Sequence, residues 1–233
     1  MSVGLTGTTV ALTAADKSKL LRSVVSEAVG PSMKRHCYTR LGRHQLWIHE
    51  LPELTRVIGF DGNWFGGPRT LRWGVWIPSI AELVYEPPFT SLTGLVSCHV
   101  GGELAHLLAD DEYRERMEAL NGGRFDLEAC RADDGFARAK NEIQGTLDVF
   151  ASNLGRFGTR EDVIRFLLAT GGPKCYRQRF WPTEGLTEIF VVALMLVKGE
   201  TVSRPRLEAL RTGLGPNSHW AHAVERICAY ASG

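Results

Sequence analysis

The chain has 233 residues, 27 of them basic and 26 acidic, for a net charge of +1. A balance this even gives no global field for nucleic acid or an anionic membrane. An apolar share of 44% and a charged share of 23% are those of an ordinary globular protein able to bury a substantial core.

The five cysteines, Cys37, Cys98, Cys130, Cys175 and Cys228, are scattered and form no CxxC pair. Neither a zinc ribbon nor a thioredoxin-like motif is indicated, and free thiols in a reducing cytoplasm are the simplest reading. Residues 1–15 carry no basic stretch ahead of an apolar one, so no secretory signal is expected. The longest apolar run, Ile189–Val197, is too short to cross a bilayer.

In chain order, residues 1–15 read as a loose arm. Thr13 and Asp16 have the spacing of a capping box. Leu20, Leu21, Val24, Val25, Ala28 and Val29 then follow helical steps, and Gly30-Pro31 is expected to stop that helix. Met33–Leu41 reads as a first strand, turning through Gly42 into the next. Its basic cluster, Lys34, Arg35, His36, Arg40 and the nearby Arg43, suits either a solvated edge or an acidic partner.

The stretch from Gln45 to Ile80 carries three runs with the two-residue period of half-buried strands. They are Gln45–Glu50, Thr55–Asp61 and Arg69–Ile77. A turn at Pro52-Glu53 joins the first two, and the glycine-rich loop Gly62–Pro68, bearing Trp64 and Phe65, joins the last two. Short turns imply antiparallel neighbours. Leu71, Trp73, Val75 and Ile77 form the natural core face. On a simple register Trp47, His49, Arg72 and Trp76 share the opposite face. Two arrangements fit it: an outward aromatic contact surface extended by Trp64 and Phe65, or a second core face covered by helices.

Beyond Ile80, Ala81–Tyr85 reads as a short helix and Ser97–Val100 as a fifth strand. Gly101-Gly102 then precedes a short helix with Leu104, Leu107 and Leu108. A helix start can hold an anion, but no P-loop or GxGxxG accompanies this one. Asp110-Asp111-Glu112 and Asp133-Asp134 are acidic clusters best read as caps or solvated ends.

Phe136, Ile143, Leu147, Phe150 and Leu154 mark a long amphipathic helix, and Thr159-x-x-Asp162 caps the next, which ends at Gly171-Gly172. Pro173–Pro182 is a connector of interleaved arginines and aromatics. Leu186–Lys198, apolar almost all round, ends at Gly199. Further helices open at Ser203-x-Pro205 and at Asn217-Ser218.

The fold expected is α+β: an antiparallel sheet of about five strands packed on an N-terminal helix and a helical hairpin. Residues 16–172 form that domain, and residues 173–233 form a C-terminal helical extension packed on it.

No catalytic constellation emerges. Of the seven histidines, none lies in HExxH, and His219/His222 lacks a further ligand at metal spacing. Cys98-His99 is adjacent, but successive strand residues point to opposite faces. No GxSxG elbow occurs. No catalytic residue, metal or cofactor is assigned.

Leu71-Arg72-Trp73-Gly74-Val75-Trp76-Ile77-Pro78 and Ser97-Cys98-His99-Val100-Gly101-Gly102-Glu103-Leu104, set between an N-terminal helix and a helical tail, resemble the bacterial family called domain of unknown function 4304. The likeness covers roughly residues 16–170 and departs from the family's pattern at Gly101-Gly102. It implies the architecture and a bacterial, cytoplasmic setting. It transfers no functional residue.

Two functions follow from these readings. One is a non-catalytic protein-binding or accessory module, immunity-like or adaptor, with Trp47, His49, Trp64, Phe65, Arg72 and Trp76 on its contact surface and another protein as partner. The other is an enzyme or small-ligand binder with a pocket between sheet and helices, where His49, Arg72 and His99 converge.

Overall fold

A computed structural model of the protein describes residues 13–42, 45–62, 69–85, 92, 94–103, 107, 124–125, 134–170, 184–214 and 220–233. The loose arm before Thr13, the Trp64/Phe65 loop, Asp110-Asp111-Glu112 and the Pro173–Pro182 connector lie outside the described residues. Within them the expected class holds: an antiparallel sheet with an N-terminal helix and a set of C-terminal helices.

Helix α1 (Ala14–Val24) opens on the anticipated box, where the Asp16 N–H donates to Thr13 Oγ1 at 3.2 Å. Gly30-Pro31 does not stop it. A π turn (Val25–Val29) leads directly into α2 (Gly30–Arg35), so helical structure runs through the proline. Proline lacks an N–H, and its ring crowds the carbonyl four residues back. The wider π turn just before Pro31 lets the chain accommodate both.

The expected strand over Met33–Leu41 is correspondingly wrong. Met33, Lys34 and Arg35 belong to α2, and only β1 (Thr39–Arg40) is extended. Part of the basic cluster finds its acid inside the fold. His36 Nε2 lies 2.7 Å from an Asp148 carboxylate oxygen, and Arg35 donates to the same oxygen at 3.4 Å.

The sheet runs β1, β2 (Leu46–Glu50), β3 (Thr55–Gly62), β4 (Arg69–Trp76) and β5 (Val100–Glu103), every pair antiparallel. β6 (Arg124–Phe125) also pairs with β4. The fifth strand thus starts three residues later than its sequence signal. Gly101-Gly102 lies within it, opposite Gly74 and Trp73, and is not a loop before a helix.

Helix α3 (Pro78–Val84) follows β4 at once. Two of the expected helices are α4 (Gly135–Leu154) and α5 (Arg160–Thr170). Asp162 closes the box at the start of α5, accepting from the Gly158 and Thr159 N–H groups at 3.0 and 2.9 Å. α6 (Glu184–Val197), α7 (Arg204–Gly213) and α8 (Ala221–Ser232) complete the chain, and Gly199 turns the backbone out of α6 with φ +82°.

One large core lies on the Trp73 face of the sheet. It joins Leu71, Trp73 and Val75 to Ala28 and Met33, to Leu147 and Phe150 of α4, and to Val191–Leu194 of α6. The sequence-apolar α6 is therefore part of the main core. A smaller cluster of Leu46, Ile48, Val57, Trp76, Ala81 and Cys98 occupies the opposite face, under Leu92 and Leu95. Helices cover one face, and an irregular segment with a 3₁₀ turn (Leu95–Ser97) covers the other.

Candidate functional site

Register decides which side chains can meet. Trp47 pairs with Ile58, and Ile58 with Trp73, so Trp47 lies on the main core face. His49 follows on the same face, opposite Arg56. Arg72 and Trp76 point the other way, Arg72 paired with Glu103. Trp47 and His49 therefore do not share a face with Arg72 and Trp76, and the single aromatic surface expected from a simple register does not form. Each strand's alternation was read correctly. The relative phase of two strands depends on the turn between them, and one residue of slip exchanges every face.

Both described tryptophans of that set are enclosed, Trp47 at 2% and Trp76 at 5% exposure. Trp64 and Phe65 lie outside the described residues. The expected convergence of His49, Arg72 and His99 fails for the same reason of phase. His49 sits against Tyr38, ring centroids 5.4 Å apart, on the face opposite Arg72, while His99 stacks on Trp76 at the end of the sheet and also meets Phe190 of α6. Burial, reinforced by the Arg56 charge, holds His49 below the ordinary histidine range.

His99 itself is fully buried. Its Nδ1 accepts the Ile77 N–H at 2.9 Å, so the proton of the neutral ring sits on Nε2. Trp76, Tyr85 and Phe190 surround the ring at centroid distances of 4.7, 5.0 and 6.3 Å. Burial lowers its pKa from 6.5 to about 3. Desolvation likewise raises the Cys98 thiol far above its usual value. A neutral imidazole and a protonated thiol sealed from solvent are packing elements, without the access that nucleophile or base chemistry needs.

Among the described residues, an open concave feature lies elsewhere. A cleft of about 360 Å³ lies between α1, the π turn and the β1–β2 edge. Ser18, Leu21, Arg22, Val25 and Ser26 recur at helical steps and so present one face of the helix to it. Arg40, Gln45 and Trp47 complete the lining from the sheet. The Arg40 guanidinium lies over the Trp47 ring, 6.0 Å from its centroid, as their cross-strand pairing dictates. Gln45 Oε1 is buried with no hydrogen-bond partner among the described residues.

Of the described residues anticipated for the contact surface, Trp47 alone lines this cleft, joined by Arg40 of the basic cluster. Arg22, Ser26 and Gln45 were missed. Their one sequence signal was that Ser18, Arg22 and Ser26 form a polar strip at steps of four beside an apolar one. That strip is what any amphipathic helix shows.

No known family model, curated protein or solved structure matches the chain. The resemblance to domain of unknown function 4304 rests on the quoted motifs alone. Among the described residues, no group of three or more His, Cys, Asp and Glu side chains could hold a metal ion, and no helix is long and apolar enough to cross a membrane.

Proposed function

We propose that the protein is a small-ligand binder whose site is the cleft between the N-terminal helix and the β1–β2 edge. One observation carries this reading: a polar-rimmed concavity of about 360 Å³ is built on a tryptophan anchored in the main core. Its volume is in the range that encloses a small organic molecule, and a few polar groups around an apolar floor are the usual composition of such sites. The π turn in its wall is the kind of helix irregularity that recurs at functional sites.

Capture of a partner protein through an aromatic sheet face is the less supported reading. It needs exposed rings, and Trp47 and Trp76 are both enclosed.

A fragment screen on the isotope-labelled full chain tests the proposal. Hits should shift the amide resonances of Ser26 and Gly30 and the indole N–H of Trp47 together. Hits that scatter over the surface, or gather at another site, would overturn it.

A further inference from the structure

Resting on that reading of the cleft, we infer that its ligand is a small organic anion with an apolar body and an N–H or O–H donor close to the charge. Three features of the lining lead there. Arg22 and Arg40 bring two guanidinium groups to the rim, and no carboxylate lines the cleft among the described residues. The Arg22 side chain makes no hydrogen bond or ion pair with any described residue, so its donors are open to an incoming anion. Arg40 is held over the Trp47 ring, which fixes the second positive charge in place. A guanidinium fork matches a carboxylate or phosphate in two-point geometry, and such charge-assisted bonds are the strong ones.

The acceptor is the second feature. Gln45 Oε1 is buried and has no donor among the described residues. A buried acceptor without a partner is costly, and a rotation of the Gln45 side chain toward the cleft would let a ligand N–H or O–H satisfy it. The third is the apolar lining of half-buried Leu21 and Val25 beside the enclosed Trp47, which rewards a branched aliphatic or small aromatic body. An N-acylated apolar amino acid carries all three groups: carboxylate, adjacent amide N–H and hydrocarbon side chain. An aryl phosphate offers the charge and the body without the donor.

The test uses the full chain and four probes followed by amide and indole resonances: N-acetyl-leucine, its neutral amide, 4-methylpentanoate and phenyl phosphate. N-acetyl-leucine should bind at the cleft at least about tenfold more tightly than the neutral amide, and added salt should weaken it. Arg22→Gln should cost about tenfold while leaving the melting temperature unchanged, because Arg22 is solvent-exposed. Gln45→Ala should remove the preference for N-acetyl-leucine over 4-methylpentanoate. Phenyl phosphate binding as tightly as N-acetyl-leucine would overturn the donor requirement.

The neutral amide binding as well as the acid would overturn the anion assignment and leave the cleft as a binding site. Neutral or cationic fragments shifting Ser26 and Trp47, with all three anions silent, would have the same meaning. Silence from every fragment and probe at those residues would remove both the ligand class and the cleft reading.

Discussion

His99 stacks on Trp76 with ring centroids 4.7 Å apart and an interplanar angle of 29°. The pair joins the ends of β4 and β5 to three other elements. Tyr85 at the end of α3 lies on the histidine, its hydroxyl donating to the Cys98 carbonyl at 3.0 Å. Phe190 of α6 meets the His99 ring edge-on, and Trp220 at the start of α8 packs on both Tyr85 and Phe190. One sealed imidazole thus sits where sheet, α3, α6 and α8 meet.

That position makes stability depend on acid in a defined window. The folded state keeps His99 neutral down to about pH 3, whereas the unfolded chain protonates it near 6.5. Between those values the unfolded state binds more protons, so stability rises with pH. The contribution is fully present above about 6.5, is lost as pH falls through the window, and changes no further below about 3. Between pH 7 and pH 5 the loss assigned to His99 is about 2 kcal/mol. Urea unfolding of the wild type and His99→Gln at the two pH values should show the variant's deficit shrinking by that amount at the lower one. An equal deficit at both would mean that His99 titrates normally in the folded chain.

The opposite face depends on glycine for close approach. A Cβ built on Gly74 would lie 2.4 Å from Cys98 Sγ, and one on Gly59 would lie 2.4 Å from Leu95 Cδ1. The segment covering this face therefore rests directly on sheet backbone. Gly74→Ala should destabilise by about 2 kcal/mol, the cost of overpacking a filled site. Cys98→Ala removes the sulfur it strikes, so the double variant should be less destabilised than the sum of the two single changes. Simple additivity in chemical denaturation would place the clash elsewhere.

Much of this architecture was legible in the chain, and what escaped has a common cause. Thr13 with Asp16, Thr159 with Asp162, and Gly199 act through partners within four residues, so spacing alone identified them. The strands around Val57 and Val75 were legible by alternation. Their phase was not, because the pairing of Trp47 with Ile58 and Trp73 is set by turns whose register no local pattern states. Pro31 misled for the converse reason. A proline normally ends a helix, and only the π turn before it permits continuation. The cleft was hidden because its wall comes from α1 and its rim from Arg40 and Gln45, far apart in the chain.

The two carboxylates at the start of α5 offer a comparison of local and distant capping. Asp162 accepts from the Gly158 and Thr159 N–H groups and from the Thr159 hydroxyl at 2.9 Å, all within one turn. Replacing it with Ala should cost about 1 kcal/mol, as loss of a capping box does. The readout is the midpoint of urea unfolding, with Asp162→Asn retaining part of the loss. No change for Ala would mean that water serves these donors equally well.

Glu53 reaches the same helix from the β2–β3 turn. Its two oxygens take the Arg160 N–H at 2.9 Å and the Arg160 guanidinium at 3.0 Å. Those hydrogen bonds, the side-chain one foremost, hold the Glu53 carboxyl below its ordinary value of 4.5. A depressed carboxylate stabilises the fold above its unfolded pKa and loses that effect as pH falls through the folded one. The His99 contribution is already falling at pH 6, while the Glu53 contribution is intact there and declines only below about 4.5. Glu53 is partly exposed, so solvent screening keeps the effect of Glu53→Gln below about 1 kcal/mol at pH 7. Its deficit should persist from pH 7 to pH 5 and close only in stronger acid, as the folded carboxyl takes its proton, opposite in timing to His99→Gln. A Glu53→Gln deficit that had already vanished at pH 5 would mean that the carboxylate is not held by Arg160.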